Sequence, residues 1–433
     1  MDVILRRATI AGREAEGALD IGIAGGRIAA VSPVLDAIGP AIDLDGRLVS
    51  PGLVETHIHL DKTCIIDRCR IAEGTLGEAV SETAKAKKSF TEEDCHARGA
   101  RTLENCIRNG TMLMRTHVEI DPGIGFRGFD AILRLAQDYA FAIDMEICVF
   151  PQEGLTNFPG TEPLLAAALG KGARILGAAP YTDTDPRGQI DRIFVMAREH
   201  DVDIDMHLDL GDSPEDMHVE YVCAATEKHG WGGRVAVGHV TRLSTVPAPR
   251  FAAIARRLAD TGVAVTVLPS TDLYLTGRGQ DHSVMRGVTA AHRLVERGVN
   301  CSLSTNNILN PFTPYGDGSL IRMANLYANV AHVGTQAGLA ECFAMVTSRS
   351  ARLMRRPDHG ILEGSAADLV VFDCRSTAAA VAELQSPVFG LKGGRLTFAR
   401  PRSVLRMPGH VDSLAEMRQL LRGNVECHGK AGR

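Results

Sequence analysis

The chain has 433 residues, of which 45% are hydrophobic and 23% are charged, and its formal net charge is −5 at pH 7. These values are ordinary for a soluble globular protein and give no electrostatic reason to expect nucleic acid or an anionic membrane as a partner. No apolar run approaches the roughly 20 residues that span a bilayer, and the N-terminus has no signal-peptide pattern. The ten cysteines include no CxxC pair, so we expect reduced thiols in a cytoplasmic protein.

Short β patterns with glycine turns occupy the first 48 residues, and a similar pattern returns near the C-terminus in GSAADLVVFD and GLKGGRLTFARP. The pairs Gly25-Gly26 and Asp45-Gly46 are typical of hairpin turns. We therefore predict one small β-sandwich domain built from both termini, over residues 1–48 and 365–402. Residues 403–433 contain the helical pattern SLAEMRQLLRG and are predicted to form a C-terminal tail.

Strand patterns alternate with amphipathic helix patterns over the intervening residues 49–364. The helix patterns CHARGARTLENCIRNG and AAIARRLADTG each end at a glycine, as helices commonly do. This alternation predicts an α/β fold, a (β/α)8 TIM barrel. A doubly wound sheet is the alternative, but no GxGxxG motif follows the first strand. The eight predicted strands are LVETHIHL, TMLMRTHVEI, DMEICVFPQ, ARILGAAPY, DIDMHLDL, RVAVGHV, AVTVLPS and NCSLSTN.

Polar residues at the ends of these strands are the candidate site residues, because a barrel of this type carries its catalytic groups at the C-terminal ends of its strands. Four of the eight predicted strands end on histidine. The candidates are His57, His59, His117, Glu119, Gln152, Tyr181, His207, Asp209, His239, Ser270, Asp272, Asn306 and Asn307.

The pair His57 and His59 is the strongest local signal for a metal site. Two-residue spacing on a strand places both side chains on one face, about 7 Å apart at the backbone, so both rings can reach one ion at roughly 2.1 Å. His207 is the natural third ligand. His239 is either a fourth ligand or an unligated group that polarises the substrate or moves a proton. His117 either lines the pocket or supports a ligand from behind.

The segments PGLVETHIHLDKT, RTHVEID, FPQEGL, MHLDLGD and GHVTRL resemble the amidohydrolase superfamily, specifically its cytosine deaminase-like branch. The resemblance runs from about residue 48 to residue 330 and implies one divalent metal ion, zinc or iron, and a homo-oligomer. It also implies roles by position: the metal ligands are His57, His59, His207 and Asn306, the strand-six histidine is His239, and the groups that contact the substrate ring are Gln152 and Phe312.

Two positions depart from the pattern of that branch. Asn306 stands where the resemblance expects an aspartate that takes a proton from the metal-bound water, and Leu210 stands where it expects a glutamate that protonates the ring. An amide oxygen can still ligate a metal, but it is not a base near neutral pH. Loss of a general acid or base typically costs about 10²- to 10⁴-fold in rate. We therefore expect altered chemistry, with Asn307 and Leu210 beside the substrate.

Asp209 lies two residues beyond His207 and is expected to point into the barrel mouth with it, as a possible proton carrier; a structural role is the alternative. Lys62 and Lys171 do not lie at the end of the fourth strand, where a carbamylated lysine would hold a second metal, so one metal is predicted.

We predict a metal-dependent amidohydrolase that hydrolyses a C–N bond of a small heterocyclic or amide- or urea-like substrate through a metal-activated water. Two alternatives remain open. The first is a cytosine deaminase-type enzyme acting on a pyrimidine-like ring, with Asp209, Glu119 or Asp272 in place of the lost acid. The second is a ligand-binding barrel without catalysis.

Overall fold

The structure is a computed structural model that describes residues 1–401, so the predicted tail over residues 403–433 lies outside the described residues. Its strands are β1 Val3–Ile10, β2 Ala18–Ala24, β3 Arg27–Ser32, β4 Ala41–Asp43, β5 Leu48–Pro51, β6 Leu53–Ile58, β7 Thr111–Glu119, β8 Asp144–Phe150, β9 Ile175–Ala178, β10 Asp203–Leu208, β11 Val235–His239, β12 Ala264–Val267, β13 Cys301–Leu303, β14 Leu369–Phe372, β15 Pro387–Lys392 and β16 Arg395–Ala399.

The helices alternate with the strands of the central segment. They are α1 Leu76–Ala86, α2 Glu92–Arg108, α3 Arg127–Asp138, α4 Thr161–Lys171, α5 Pro186–His200, α6 Val219–His229, α7 Ala248–Thr261, α8 Pro269–Leu275, α9 Ala291–Val295, α10 Leu320–Ala331, α11 Gln336–Ala344, α12 Ser348–Leu353 and α13 Thr377–Ala382. Within residues 1–401, no helix is both long enough and apolar enough to cross a membrane.

The strands β6 to β13 form one parallel sheet in chain order, and they correspond to the eight predicted strands. The sheet closes on itself because Ile58 at the end of β6 forms a parallel bridge with Asn306 just beyond β13. The backbone N–H of His59 donates to the carbonyl oxygen of Asn306 at 2.9 Å, and the N–H of Asn306 donates to that of His57, also at 2.9 Å. The predicted (β/α)8 barrel is confirmed, and its closure joins two segments that carry candidate site residues.

The remaining strands form a second sheet from both termini, in the order β16-β15-β14-β5-β1-β2-β3 with β4 paired to β1. Gly25 and Gly26 join the antiparallel strands β2 and β3, which confirms the first predicted hairpin. The hairpin predicted at Asp45-Gly46 is wrong, because the strands on either side of it, β4 and β5, both run parallel to β1. That turn separates two segments that pair with β1 in the same direction, and it does not reverse the chain. Leu48–Pro51 pairs with β14, so this sheet extends past residue 48.

Helix ends follow the sequence signals. Thr91 caps α2 by accepting the backbone N–H of Asp94, and the helix stops just before Gly110, whose φ is +93°. The helix α7 stops at Gly262 with φ +67°. Both glycines have positive φ values, in a region that residues with a side chain rarely adopt. The apolar face of α10, including Tyr327, is buried in the main core that the helices form with the barrel strands.

Candidate metal and active site

Three imidazole rings converge at the C-terminal mouth of the barrel. The Nε2 atom of His207 lies 3.0 Å from Nε2 of His57 and 3.0 Å from Nε2 of His59. Ligand atoms bound tetrahedrally at 2.0–2.1 Å from one ion lie about 3.3 Å from each other. The three nitrogens are therefore spaced as the ligands of a single ion, and the sequence prediction that these residues come together is confirmed.

Burial keeps these three rings neutral. Burial lowers the pKa of His57 to about 3, and it places the pKa values of His59 and His207 well below the usual range. Each neutral ring has one nitrogen lone pair, which is the form in which histidine binds a metal. The cluster thus has the donor atoms and the protonation state that a divalent ion requires.

Asn306 offers a fourth donor. It is 1% exposed and borders the same cavity as His59 and His207. Its backbone adopts the left-handed conformation, φ +61°, which asparagine tolerates better than most residues. Its Oδ1 atom is buried and has no hydrogen-bond partner among residues 1–401. A buried amide oxygen without a partner is costly unless something else occupies it, so this atom fits a metal or a ligand of the metal.

His239 does not belong to the three-histidine cluster. Its Nδ1 atom lies 2.6 Å from Oδ1 of Asp272, and its ring centroid is 5.7 Å from that of His207. Asp272 is fully buried, which raises its pKa, and its Oδ2 atom accepts the backbone N–H of Leu268. Since Nδ1 is engaged by a carboxylate, Nε2 is the ring nitrogen left for the cavity. Of the two roles predicted for His239, the geometry favours the unligated one.

Of the two roles expected for His117, the geometry favours support of a ligand from behind, because its ring does not border the cavity. It stacks beneath His57 with 3.7 Å between ring centroids, and it is fully buried. Its Nε2 atom is 3.5 Å from Oδ1 of Asp205, whose other oxygen accepts from Arg115 at 2.9 Å. A charged layer therefore lies directly below the three-histidine cluster, and His117 supports His57 from behind.

Asp209 does not point into the barrel mouth. Its two carboxylate oxygens accept the backbone N–H groups of His218 and Val219, at 2.8 and 2.9 Å. The alternation of the strand stops at Leu208, and Asp209 adopts φ +49°, which turns its side chain toward the start of α6. The geometry agrees with the structural role that was its alternative.

The cavity above the histidines brings together most of the other predicted residues. Its lining consists of His59, Lys62, Gln152, Tyr181, His207, Leu210, His239, Thr271, Leu275, Asn306, Asn307 and Phe312. Its free volume is about 10 Å³, enough for roughly one water molecule. Leu210, Leu275 and Phe312 pack on one another as an apolar cover. A ring-sized substrate therefore requires this cover to move.

Lys62 borders the cavity, although the sequence interpretation did not place it there. Its Nζ atom donates to Oε1 of Glu119 at 2.7 Å and to Oε1 of Gln152 at 3.0 Å, and it lies 4.6 Å from the centroid of the Phe312 ring. Its position three residues after His59 could have indicated that it lies near the cavity. The strand pattern does not predict which way the loop after β6 turns, so the direction of the Lys62 side chain could not be predicted. A buried ammonium therefore borders the cavity.

An acidic group behind Lys62 is not a second metal site. The carboxylates of Glu119, Asp121 and Glu153 lie close enough to hold an ion. The ammonium of Lys87 forms ion pairs with all three, and the contact with Asp121 is 2.6 Å. Burial opposes its charge, but the carboxylates of Glu119 and Asp121 raise the pKa of Lys87. The lysine thus occupies the position of a cation.

Comparison with known proteins agrees with this site. The model of the Amidohydrolase family matches residues 41–128 and 130–398. The chain belongs to the amidohydrolase family. N-isopropylammelide isopropyl amidohydrolase of Pseudomonas sp. (strain ADP) is 27% identical over 406 residues, which cover 91% of this chain and 96% of that protein. Pterin deaminase of Rhizobium rhizogenes is 26% identical and covers 89% of each chain.

Solved amidohydrolase structures share the architecture. The structure of 5-methylcytosine deaminase from Klebsiella pneumoniae with 5-fluorocytosine superposes with a TM-score of 0.89 at 26% identity, covering 94% of this chain and 100% of that one. These homologues are hydrolases that act on C–N bonds. Members of the superfamily depend on metal ions, and the cluster of His57, His59 and His207 fits that requirement.

Proposed function

We propose that this amidohydrolase hydrolyses a C–N bond in a small cyclic amide, imide or urea, with one zinc or iron ion held by His57, His59, His207 and Asn306. The observation that carries the proposal is the 3.0 Å spacing of the three Nε2 atoms. When bound, a dication at such a site supplies Lewis-acid activation of water and of the substrate oxygen.

His239 and Asp272 provide proton transfer. Asp272 accepts the Nδ1–H of His239, which leaves Nε2 with a lone pair on the cavity side. His239 can therefore take a proton from the attacking water and return it to the departing nitrogen as the C–N bond breaks. Asp272 orients the ring and stabilises its protonated form, as a carboxylate does in other histidine-based sites.

The remaining groups orient the substrate. The Nε2 atom of Gln152 is buried and makes no hydrogen bond of normal geometry in the described part of the chain, so it is available to donate to a substrate oxygen. Phe312 offers one ring face at the cavity wall. No carboxylate borders the cavity as the structure describes it, so a leaving group that needs strong protonation is disfavoured. A ring nitrogen of an imide or urea leaves with less assistance than ammonia from a ring amidine.

A deaminase is the second candidate, and the relatives named as pterin deaminase and 5-methylcytosine deaminase favour it. Three acids, Glu119, Asp209 and Asp272, are the candidates to replace a catalytic glutamate. Glu119 is held by two lysines, and Asp209 is held by backbone N–H groups. Only Asp272 is connected to the cavity, by its contact with His239, so a deaminase would have to use this pair.

Turnover by metal-loaded protein tests the proposal. We expect hydrolysis of at least one compound in a panel of hydantoin, dihydrouracil and cyclic ureas, with slower or no release of ammonia from cytosine. Rapid release of ammonia from cytosine or pterin would favour the deaminase. Absence of turnover on both groups of compounds in fully loaded protein would favour the ligand-binding alternative and contradict the proposal.

A further inference from the structure

The formal charge of the cavity lining is positive. Besides three histidines, Lys62 is the only basic side chain that borders the cavity in the described structure, and no carboxylate borders it there. The positions where the resemblance places an aspartate and a glutamate carry Asn306 and Leu210. A dication bound at the histidines would add to the positive charge of Lys62, because no carboxylate borders the cavity in the described structure to balance it.

Lys62 and Lys87 share a group of carboxylates, so the affinity of this wall for an anion depends on a free N–H of Lys62 and not on a net positive charge. Glu119 accepts from Lys62 at 2.7 Å and also from Lys87 at 3.2 Å, so one carboxylate is shared by two ammonium groups. Lys62 uses two of its three N–H bonds, on Glu119 and Gln152, and within residues 1–401 no acceptor takes the third. One N–H of the Lys62 ammonium thus remains to donate to a ligand.

A second donor lies on the neighbouring amide. Gln152 turns its Oε1 atom to Lys62, and its buried Nε2, which lies near the hydroxyl of Tyr181, makes no hydrogen bond of normal geometry among residues 1–401. One amide therefore connects the ammonium to a second N–H donor, and both belong to the wall of the same cavity. Two convergent donors, one of them cationic, are the arrangement that binds an oxygen carrying negative charge.

We propose that Lys62 and Gln152 form an oxyanion-binding pair, and that the site prefers rings with a negatively charged oxygen, such as the anion of an acidic lactam or imide. This inference rests on the proposed function for the reaction, but the binding preference itself requires only the cavity. Phe312 would lie along the ring, since it already flanks the ammonium at 4.6 Å.

Binding of two rings of the same size and different charge tests the inference. Barbiturate is an anion at neutral pH, whereas uracil is neutral. We expect metal-loaded protein to bind barbiturate about 10- to 100-fold more tightly than uracil by calorimetric titration, as a charge-assisted hydrogen bond requires. Lys62→Met should reduce this ratio about tenfold or more, because the metal is unchanged and only the ammonium is lost.

Two further variants separate the binding role from folding. Lys62→Met combined with Glu119→Gln avoids leaving the buried Oε1 of Glu119 as a charged oxygen without its donor, and it should show the same loss of preference. Lys171→Met is the matched control, because Lys171 also pairs with a carboxylate, Asp130 at 2.8 Å, and also lies over a ring, Phe126 at 4.5 Å, but on the surface. It should keep the wild-type ratio.

The inference is overturned if wild-type protein binds uracil as tightly as barbiturate, if it binds neither, or if the Lys62 variants keep the wild-type ratio. Failure of the proposed function gives a different result. A preference for barbiturate without hydrolysis of any ring would remove the reaction and keep the anion site. Hydrolysis of neutral rings without a preference for the anion would support the reaction and contradict the anion site.

Discussion

The Nδ1 atom of His239 and the Oδ1 atom of Asp272 lie 2.6 Å apart and connect the end of β11 with α8, the helix that follows the neighbouring strand β12. Both residues are almost completely buried, at 2% and 0% exposure. This contact decides which nitrogen of His239 faces the cavity, and it is the only described link between the cavity lining and a carboxylate that could support proton transfer through a histidine. Proton transfer in the proposed reaction therefore depends on this pair.

Replacing Asp272 with asparagine should lower kcat for ring hydrolysis by about 10²- to 10⁴-fold, because His239 loses the group that orients it and stabilises its protonated form. Metal content should stay at the wild-type level, since Asp272 does not contact the three-histidine cluster. The measurements are steady-state kinetics and metal analysis. Asp138→Asn is the control, because Asp138 forms a similar 2.8 Å contact with His96 on the surface. Unchanged kcat in Asp272→Asn would exclude the pair from catalysis.

Asn306→Asp should strengthen metal retention. A carboxylate in place of the amide adds a charged ligand, and ligand charge is a main determinant of metal affinity. We expect the apparent Kd measured by chelator competition to fall on the order of tenfold. Asn307→Asp adds the same charge at the next residue and should change the Kd less, because the Oδ1 atom of Asn307 accepts a hydrogen bond from Asn310. Equal metal retention in wild type and Asn306→Asp would place Asn306 away from the metal.

Asp183 joins the loops that follow β8 and β9, and its effect on stability depends on pH. It accepts from the backbone N–H of Leu155 and from the hydroxyl of Thr156. Burial alone would raise its pKa, but these hydrogen bonds outweigh burial and lower the pKa of Asp183 to about 2. Because the folded-state pKa lies below the unfolded value of about 3.9, the ionised carboxylate stabilises the protein above pH 4 and loses this effect as the pH falls toward 2.

Asp183→Asn should therefore lower the free energy of unfolding at pH 7 by about 1–2 kcal/mol. The difference from wild type should shrink as the pH falls below about 4, where the wild-type carboxylate begins to lose its advantage. Urea unfolding at pH 7, 5 and 3.5 measures this difference in the free energy of unfolding, and Asp358→Asn, at an exposed position, is the control. A difference that stays constant or grows in acid would contradict the assignment.

The fold could be predicted from sequence because its signals are local and repeated. Eight strand patterns ending on polar residues predict a barrel mouth, and parallel strands bring their carboxyl ends together whatever the details of the loops. The meeting of His57, His59 and His207 followed from that rule. Gln152, Leu210, Asn307 and Phe312, which are expected beside the substrate, border one cavity.

The errors occur where the backbone leaves regular structure. The two-residue period placed Asp209 beside His207, but the strand ends at Leu208 and a left-handed residue follows. Lys62 was considered only as a carbamylated lysine, because its direction depends on a loop and on Glu119 of the next strand. His117 faces the barrel interior, as its strand position predicts. Whether such a residue reaches the substrate depends on its depth along the barrel axis, which the sequence pattern does not predict.

The metal content of purified protein tests the central claim most directly. After loading with zinc or iron and removal of excess ion, elemental analysis should find about one ion per chain in wild type and far less in His57→Ala, His59→Ala and His207→Ala. His332→Asn, which keeps the left-handed conformation at the end of α10, should retain the wild-type amount. A wild-type protein that retains no metal, or histidine variants that retain as much as wild type, would contradict the account.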